Sequence, residues 1–431
     1  MNLEKFFQLK ENNTTVRTEI IAGITTFLTM AYILIVNPDT LAVAGMDRGA
    51  VFTATALSAV VATLVMALVA KLPFALAPGM GLNAFFAYSV CLTMGHTWQF
   101  ALTAVFIEGI IFIILTAFNI REMIVNAIPK NIKHSISVGI GLFIAFIGLK
   151  NAGIVVANEA TFVTLGHIAD NPTAWIALIS VAIGGTLLAL RVRGALLIAI
   201  FSGTIIGIPF GVTHLPNTFE AIPPSLGPVI DKFEWSNIMS IDMVIVVFTF
   251  LFVDMFDTIG TLIGVCSKAN MLDEEGRVPN VKKALFADAI GTTVGALLGT
   301  STVTTFVESA AGVGEGGRTG LTALTTAVMF CLALFMAPLF LMVPSAATAS
   351  ALILVGAMMM TPIKNLELED YTELIPAFLT IVMMPLCYSI AEGIVFGMLS
   401  FVILKLFTGQ HKQISLLMYI LAILFLLSFF M

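Results

Sequence analysis

The sequence predicts an all-α polytopic membrane protein: 14 transmembrane segments in a 7+7 inverted repeat, with spans 3 and 10 each half extended and half helical. Composition is the first of three observations behind this reading. Of the 431 residues, 59% are hydrophobic and 11% charged, against roughly a quarter charged in ordinary soluble domains. No aqueous fold hides that much apolar surface. The second is recurrence: apolar runs of about 20 residues, enough to cross a hydrocarbon core about 30 Å thick, follow one another along the whole chain. The third is an interruption of the apolar pattern at the same ordinal position in each half.

In chain order, the runs fall near 18–36, 50–70, 77–94, 99–118, 134–150, 173–190 and 194–211. After a polar stretch to Ser240 they resume near 242–266, 282–299, 301–314, 319–343, 345–360, 373–388 and 391–407. The first run follows Arg17 and Glu19 with no small-residue cleavage signal after it, so it reads as a retained span. A last apolar run, Ile414 to Met431, reads as an interfacial or re-entrant end.

Orientation follows from the basic residues. With a cytoplasmic N-terminus and fourteen spans, only Arg48, Lys150 and Lys232 fall outside, leaving 17 of the 20 Lys and Arg residues inside, Arg121 and Arg277 among them. A miscounted span would scramble that asymmetry. Seven spans per half then force the second half to enter the membrane upside down, the inverted-repeat plan of many secondary transporters. Ile128-Pro129 before the fifth span and Val343-Pro344 before the twelfth occupy matching places.

The third span of each half is anomalous. Ala77-Pro78-Gly79-Met80-Gly81-Leu82-Asn83 puts a proline and two glycines where a helix should start, and a helix-like stretch runs only from Ala84 to Met94. Its counterpart, Ser301 to Val307, is rich in β-branched residues and leads into Glu308 to Gly314. Fourteen helical residues would reach only about 21 Å, whereas seven extended and seven helical ones reach roughly 34 Å. Extended backbone at that depth must pair with itself or face a protein-lined cavity. Two such segments meeting at mid-membrane would make a small polar site ringed by backbone donors.

Acidic residues lie at the same depth. Asp254, Asp257, Thr258, Thr261 and Gly264 share one face of the eighth span. A carboxylate at a helix centre costs about 2.5–3.5 kcal/mol even on the gentlest insertion scale, so this face points to a cavity. Glu308, at the joint of the second broken span, is a candidate solute contact. Glu108 and Glu392 lack a polar stripe and read as helix-packing or interfacial groups, and Arg318 reads as a snorkelling anchor. Burial would let one of Asp254, Asp257 and Glu308 bind and release a proton, coupling solute movement to a proton gradient. Cys91, Cys266, Cys331 and Cys387 sit singly and the five histidines are scattered, so the chain shows no metal, cofactor or catalytic signature.

Three motifs in order carry a resemblance. Pro78-Gly79-Met80-Gly81-Leu82-Asn83-Ala84-Phe85, Asp254-x-x-Asp257-Thr258-x-Gly260-Thr261, and Glu308-Ser309-x-x-Gly312 running into Gly316-Gly317-Arg318-Thr319-Gly320 resemble the hypoxanthine, guanine and adenine permeases. These form the azaguanine-transporter-like branch of the nucleobase:cation symporter 2 family, and the likeness runs from about Phe6 to past Thr408. It implies a core domain from residues 1–120 and 241–343, and a gate domain from 121–240 and 344–431, the latter with the apolar tail. It further implies that Asn83, Asp254 and Glu308 contact the purine, while Pro78, Gly81 and Asp257 shape or support the site. The implied activity is secondary active import of hypoxanthine, guanine or adenine by proton symport with alternating access. A xanthine or pyrimidine nucleobase carrier of the same fold is the alternative. The implied setting is a bacterial cytoplasmic membrane, with purine, protons and lipid as partners, no nucleic acid, and homodimerisation left open.

The chemistry agrees. An oxopurine presents N1–H and guanine adds a 2-amino group, so one carboxylate can accept a forked pair of hydrogen bonds. Asn83 offers both donor and acceptor to the far edge, and Phe27, Phe85, Phe86 or Phe306 could stack on the ring. An intramembrane aspartyl protease would need its two aspartates on different helices, and a sulfate-permease-type anion carrier a carboxylate-poor site.

Overall fold

The computed structural model of the chain describes residues 3–118, 129–215, 221–268, 271 and 278–428. Arg121, Ile128, Arg277 and residues 429–431, which enter the expectations above, lie outside that set, as do the surroundings of Gly264. The fold is polytopic and mostly helical. Among the described residues, eight helices are long and apolar enough to cross a membrane.

After a turn of helix at Leu3–Phe6, the first apolar run forms α1 (Val16–Met30) and α2 (Ile33–Ala42). They are separated at Ala31–Tyr32 although neither proline nor glycine stands there. The single helix expected over 18–36 is thus two. The Thr29 hydroxyl reaches the Thr25 and Thr26 carbonyls on its own helix and the Glu308 carbonyl across the gap, so tertiary contacts hold the break. Next come α3 (Arg48–Val65), extended by a π-helical turn at Met66–Ala70, and strand β1 (Leu76–Pro78). Helix α4 (Met80–Ala84) widens into a π-helix over Phe85–Thr93. Helix therefore starts four residues before the expected Ala84, because nothing past Gly79 interrupts it. The first half continues with α5 (Trp98–Ala117), α6 (Lys130–Asn151), the hairpin β2 (Val155–Asn158) and β3 (Phe162–Leu165), α7 (Pro172–Ala189) and α8 (Ala195–Gly207).

The second half opens with α9 (Ile241–Lys268) and α10 (Val281–Leu298), followed by strand β4 (Val303–Thr305) and α11 (Ser309–Gly314). It closes with α12 (Gly320–Ala333), α13 (Ser345–Met359), α14 (Tyr371–Leu386) and α15 (Ile390–Phe407). The apolar tail forms α16 (Leu416–Ser428), packed on α15. Packing sorts the helices into two groups. Helices α1 to α5 pack with α9 to α12, whereas α6, α7 and α8 pack with α13, α14 and α15.

Two polar devices hold these groups internally. Glu19 on α1 is fully buried, and its carboxylate accepts from the Arg318, Thr319 and Thr322 N–H groups and from the hydroxyls of Thr319 and Thr322. It satisfies the free N–H groups at the start of α12 from another helix. In the second group, buried Lys405 on α15 is paired with Glu373 at 3.0 Å and Asp370 at 3.6 Å. Neither charge is left alone in apolar surroundings.

The centre of the first group is an antiparallel ribbon. Leu76 faces Thr305, Ala77 faces Thr304 and Pro78 faces Val303. Gly79 N–H donates to the Thr302 carbonyl and Phe306 N–H to the Ala75 carbonyl, both at 3.0 Å. Alternation along an antiparallel ladder then turns the Pro78 nitrogen away from β4, so the missing N–H costs no ladder bond. Outward-facing groups at Leu76 and Val303 are met by a threonine of a neighbouring helix. Thr63 on α3 accepts from Leu76 N–H at 3.0 Å and donates to its carbonyl at 3.1 Å, and Thr292 on α10 donates to the Val303 carbonyl at 2.9 Å.

Thr63→Val keeps shape but orphans two buried backbone groups, each worth about 1–3 kcal/mol. The variant is expected to unfold at a clearly lower temperature in detergent than the wild type, with Thr63→Ser close to normal, as followed by fluorescence size-exclusion after heating. Equal midpoints for wild type and Thr63→Val would contradict this role.

Candidate functional site

The site is built where the ribbon ends. Residues 300–304 are each held by a polar group from a different helix. Asn37 on α2 donates to the Thr300 hydroxyl at 2.8 Å and to that of Thr55 at 2.7 Å. The Ser301 hydroxyl donates to the Asn83 side-chain oxygen, Thr302 donates to Glu108 at 2.6 Å, Val303 takes Thr292, and Thr304 meets Thr258 at 2.6 Å. Short β-branched and hydroxyl residues in an extended stretch turn alternate groups outward, so each finds its own helix.

Of the residues anticipated from sequence, Pro78 lies in β1, and Gly81 and Asn83 in α4. A Cβ on Gly81 would stand 2.7 Å from Ile140 of α6, so at this glycine the first group approaches the second closely. Asn83 is fully buried; its oxygen is engaged by Ser301, and its amide makes a long 3.5 Å contact with the Pro78 carbonyl, leaving one N–H uncommitted to that bond. Glu308 immediately precedes α11. It is 9% exposed, and one carboxylate oxygen accepts the Tyr32 hydroxyl at 2.7 Å. Asp254 and Thr258 are fully buried on α9, with Thr258 within 3.2 Å of Asp254, while Asp257 on the same helix is half-buried. Thr258 also meets Asp288 of α10 at 2.8 Å, and α9 packs against α11, next to Glu308.

Two readings of single residues are corrected. Glu108 is not interfacial: it is fully buried and, as a packing group, accepts from Thr302 one residue before β4. Arg318 folds back, donating to the Val313 and Gly317 carbonyls at 2.8 Å, and so closes the end of α11. Tyr32 and Asp288 were missed. Asp288 carried the same signal as Asp254, an acid inside an apolar run, while Tyr32 gave none, because an aromatic in a span is ordinary. Phe27 and Phe85 are committed to edge-to-face pairs with Phe330 and Phe250. A cavity of about 230 Å³ opens between α2 of the first group and α6 and α13 of the second, lined by Asp39, Thr40, Asn151, Ser345 and Thr348, and none of the acids at the ribbon lines it.

A helical membrane fold with two strand–helix segments paired among buried carboxylates is that of a membrane transporter. The transmembrane domain of the bicarbonate transporter BicA from a cyanobacterium matches it with a TM-score of 0.69, at 18% identity, over 87% of this chain and 97% of that one. This chain belongs to the permease family, whose Xan_ur_permease model matches residues 17–396. It is similar to the adenine permease AdeP of Escherichia coli, 43% identical over 99% of this chain and 95% of that protein. It is also similar to the guanine/hypoxanthine permease PbuG of Bacillus subtilis, 44% identical over 99% of each. These relatives are permeases, not enzymes.

Proposed function

We propose that this protein imports purine nucleobases across the cell membrane, by proton symport and alternating access. The observation that carries this reading is Glu308: a carboxylate at the joint of a broken segment, with one oxygen held by Tyr32 and the face of α9 that bears Asp257 nearby. A carboxylate fixed in this way can accept the N1–H of an oxopurine and the 2-amino group of guanine as a fork. Asn83 offers an N–H to the purine's far edge, Asp254 completes the binding set, and Pro78, Gly81 and Asp257 shape the site. AdeP and PbuG, similar over almost their whole length, take adenine and guanine or hypoxanthine, which supports a purine as the solute. Adenine has no N1–H, so its fork requires a protonated carboxyl.

The architecture we propose is fourteen spans in a 7+7 inverted repeat with a cytoplasmic N-terminus. Thr63, on the helix before β1, and Thr292, on the helix before β4, serve their strands in the same way, as inverted repeats would. The two packing groups correspond to a core domain (1–120 and 241–343) and a gate domain (121–240 and 344–431). Movement of one past the other, with the tight Gly81–Ile140 contact between them, would expose the site to each side in turn.

Glu308→Gln keeps volume but turns one acceptor into a donor, and it is expected to cut labelled hypoxanthine uptake by about tenfold or more at matched protein content. Unchanged uptake and affinity would remove Glu308 from the binding set. Competition by adenine and guanine, but not by uracil or xanthine, identifies the solute class; uracil competing best would replace a purine by a pyrimidine. A protonophore is expected to abolish accumulation in proteoliposomes with an imposed pH gradient, and accumulation indifferent to it would remove proton coupling.

A further inference from the structure

The cavity of about 230 Å³ between α2, α6 and α13 takes no part in the site at the ribbon, yet its walls have a definite chemistry. Val36, Val43 and Leu352 give it an apolar side, and Asp39, Thr40 and Thr348 are among its polar residues. The Thr40 hydroxyl donates to the Val36 carbonyl at 2.8 Å and the Thr348 hydroxyl to the Ser345 carbonyl at 3.0 Å, each on its own helix. A hydroxyl has one hydrogen, so neither has a hydrogen left for the cavity. Asp39 Oδ1 accepts from Arg48 Nε, but Oδ2 is buried and has no hydrogen-bond partner among the described residues. The cavity is therefore rich in acceptors and short of donors. A buried carboxylate oxygen in that position calls for a donor from outside the chain.

Charge narrows what that donor is. Arg48 is fixed behind the carboxylate, its two Nη groups donating to the Leu341 and Val343 carbonyls, where the chain passes from the first packing group to the second. Asp39 is the one ionisable residue of α2, α13 has none, and Lys150 at the end of α6 reaches the Tyr388 hydroxyl at 3.4 Å. A cation entering the cavity would be repelled by Arg48, and an anion by Asp39. A neutral solute with N–H groups meets neither penalty. Pockets for drug-sized molecules begin near 300 Å³, so 230 Å³ suits a single small ring system.

We propose that this crevice is a second nucleobase site, separate from Glu308, in which a base rests on the apolar wall and gives N–H groups to Asp39 Oδ2 and Thr348 Oγ1. The inference rests on the purine and orientation readings above. With a cytoplasmic N-terminus, the end of α2, the end of α6 and the start of α13 all lie on the outer side. Helix α2 belongs to the first packing group and α6 and α13 to the second, so the base is held by both. It binds only while the two groups keep this spacing.

The test uses the full chain in right-side-out membrane vesicles, with hypoxanthine and guanine as probes and a membrane-impermeant methanethiosulfonate as reagent. Val43→Cys puts a thiol at the rim of the cavity, where Val43 is 44% exposed, and the parent chain with its four cysteines sets the background. Either base is expected to slow labelling of that thiol, and to do so equally when Glu308→Gln is added. Asp39→Asn keeps an oxygen for Arg48 but replaces the free acceptor by a donor, and it is expected to raise the base concentration needed for protection by about tenfold or more. Thr348→Val, which leaves the Arg48 pair intact, is expected to act in the same direction. Protection that vanishes with Glu308→Gln overturns the crevice site, because shielding then follows from the central contact. So does protection unchanged by both Asp39→Asn and Thr348→Val, or protection by sodium chloride without a base. A Val43→Cys thiol that no reagent reaches from outside overturns the outer placement. Uptake of labelled hypoxanthine is read in parallel: uptake without protection overturns the crevice site and keeps import, whereas protection without uptake keeps the site and overturns import.

Discussion

Extended backbone at membrane depth has no water to pair with, and most of what surrounds β1 and β4 can be understood as answers to that constraint. Two strands of three residues pair with each other, and their ends are closed by Gly79 to Thr302 and Phe306 to Ala75. The outward edges go to threonines on the scaffold helices α3 and α10. Even proline fits, because Pro78 stands where no ladder bond is asked of it. A sheet of two strands is marginal in water; here it persists because every alternative leaves polar groups in lipid or in an apolar core.

The same requirement assembles the chemistry. Hydroxyls at 300–302 and 304 demand polar partners, and those partners are Asn37, Asn83, Glu108 and Thr258, which arrive from four helices. Through Thr258 the ribbon also gathers Asp254 and Asp288. Carboxylates that would be costly singly are therefore collected in one polar region. Glu308 differs from the buried pair in its place at the joint before α11, with Tyr32 as donor.

Much of this was legible in the chain. Interruptions at Ala77 to Asn83 and at Ser301 to Val307 stood out because a 3.6-residue apolar pattern cannot absorb two glycines and a proline, or a β-branched run too short to cross as a helix. The stripe on α9 stood out because two acids one turn apart are expensive in lipid. Glu108 did not, since its significance is the Thr302 hydroxyl 194 residues away. Arg318 was misread for a similar reason: a basic residue near a span end snorkels by default, and only the short helix α11 beside it offers it carbonyls instead. Tyr32 became visible only through the break between α1 and α2, where no residue of the helix-breaking kind stands.

Composition and length are local properties, so the sequence alone determined the bilayer as solvent, the order of apolar runs, the two interruptions and the presence of acids at depth. Those quantities need only the period of a helix, the rise of a strand and the thickness of a membrane. The tertiary structure decided the register that sets Leu76 against Thr305, the choice of Ser301 for Asn83 across 218 residues, and the meeting of Asp254 with Asp288 at one hydroxyl. A hydrogen bond depends on distances of tenths of an ångström between chain segments far apart in sequence. No pattern read along one segment contains that distance, because the packing of the other helices sets it.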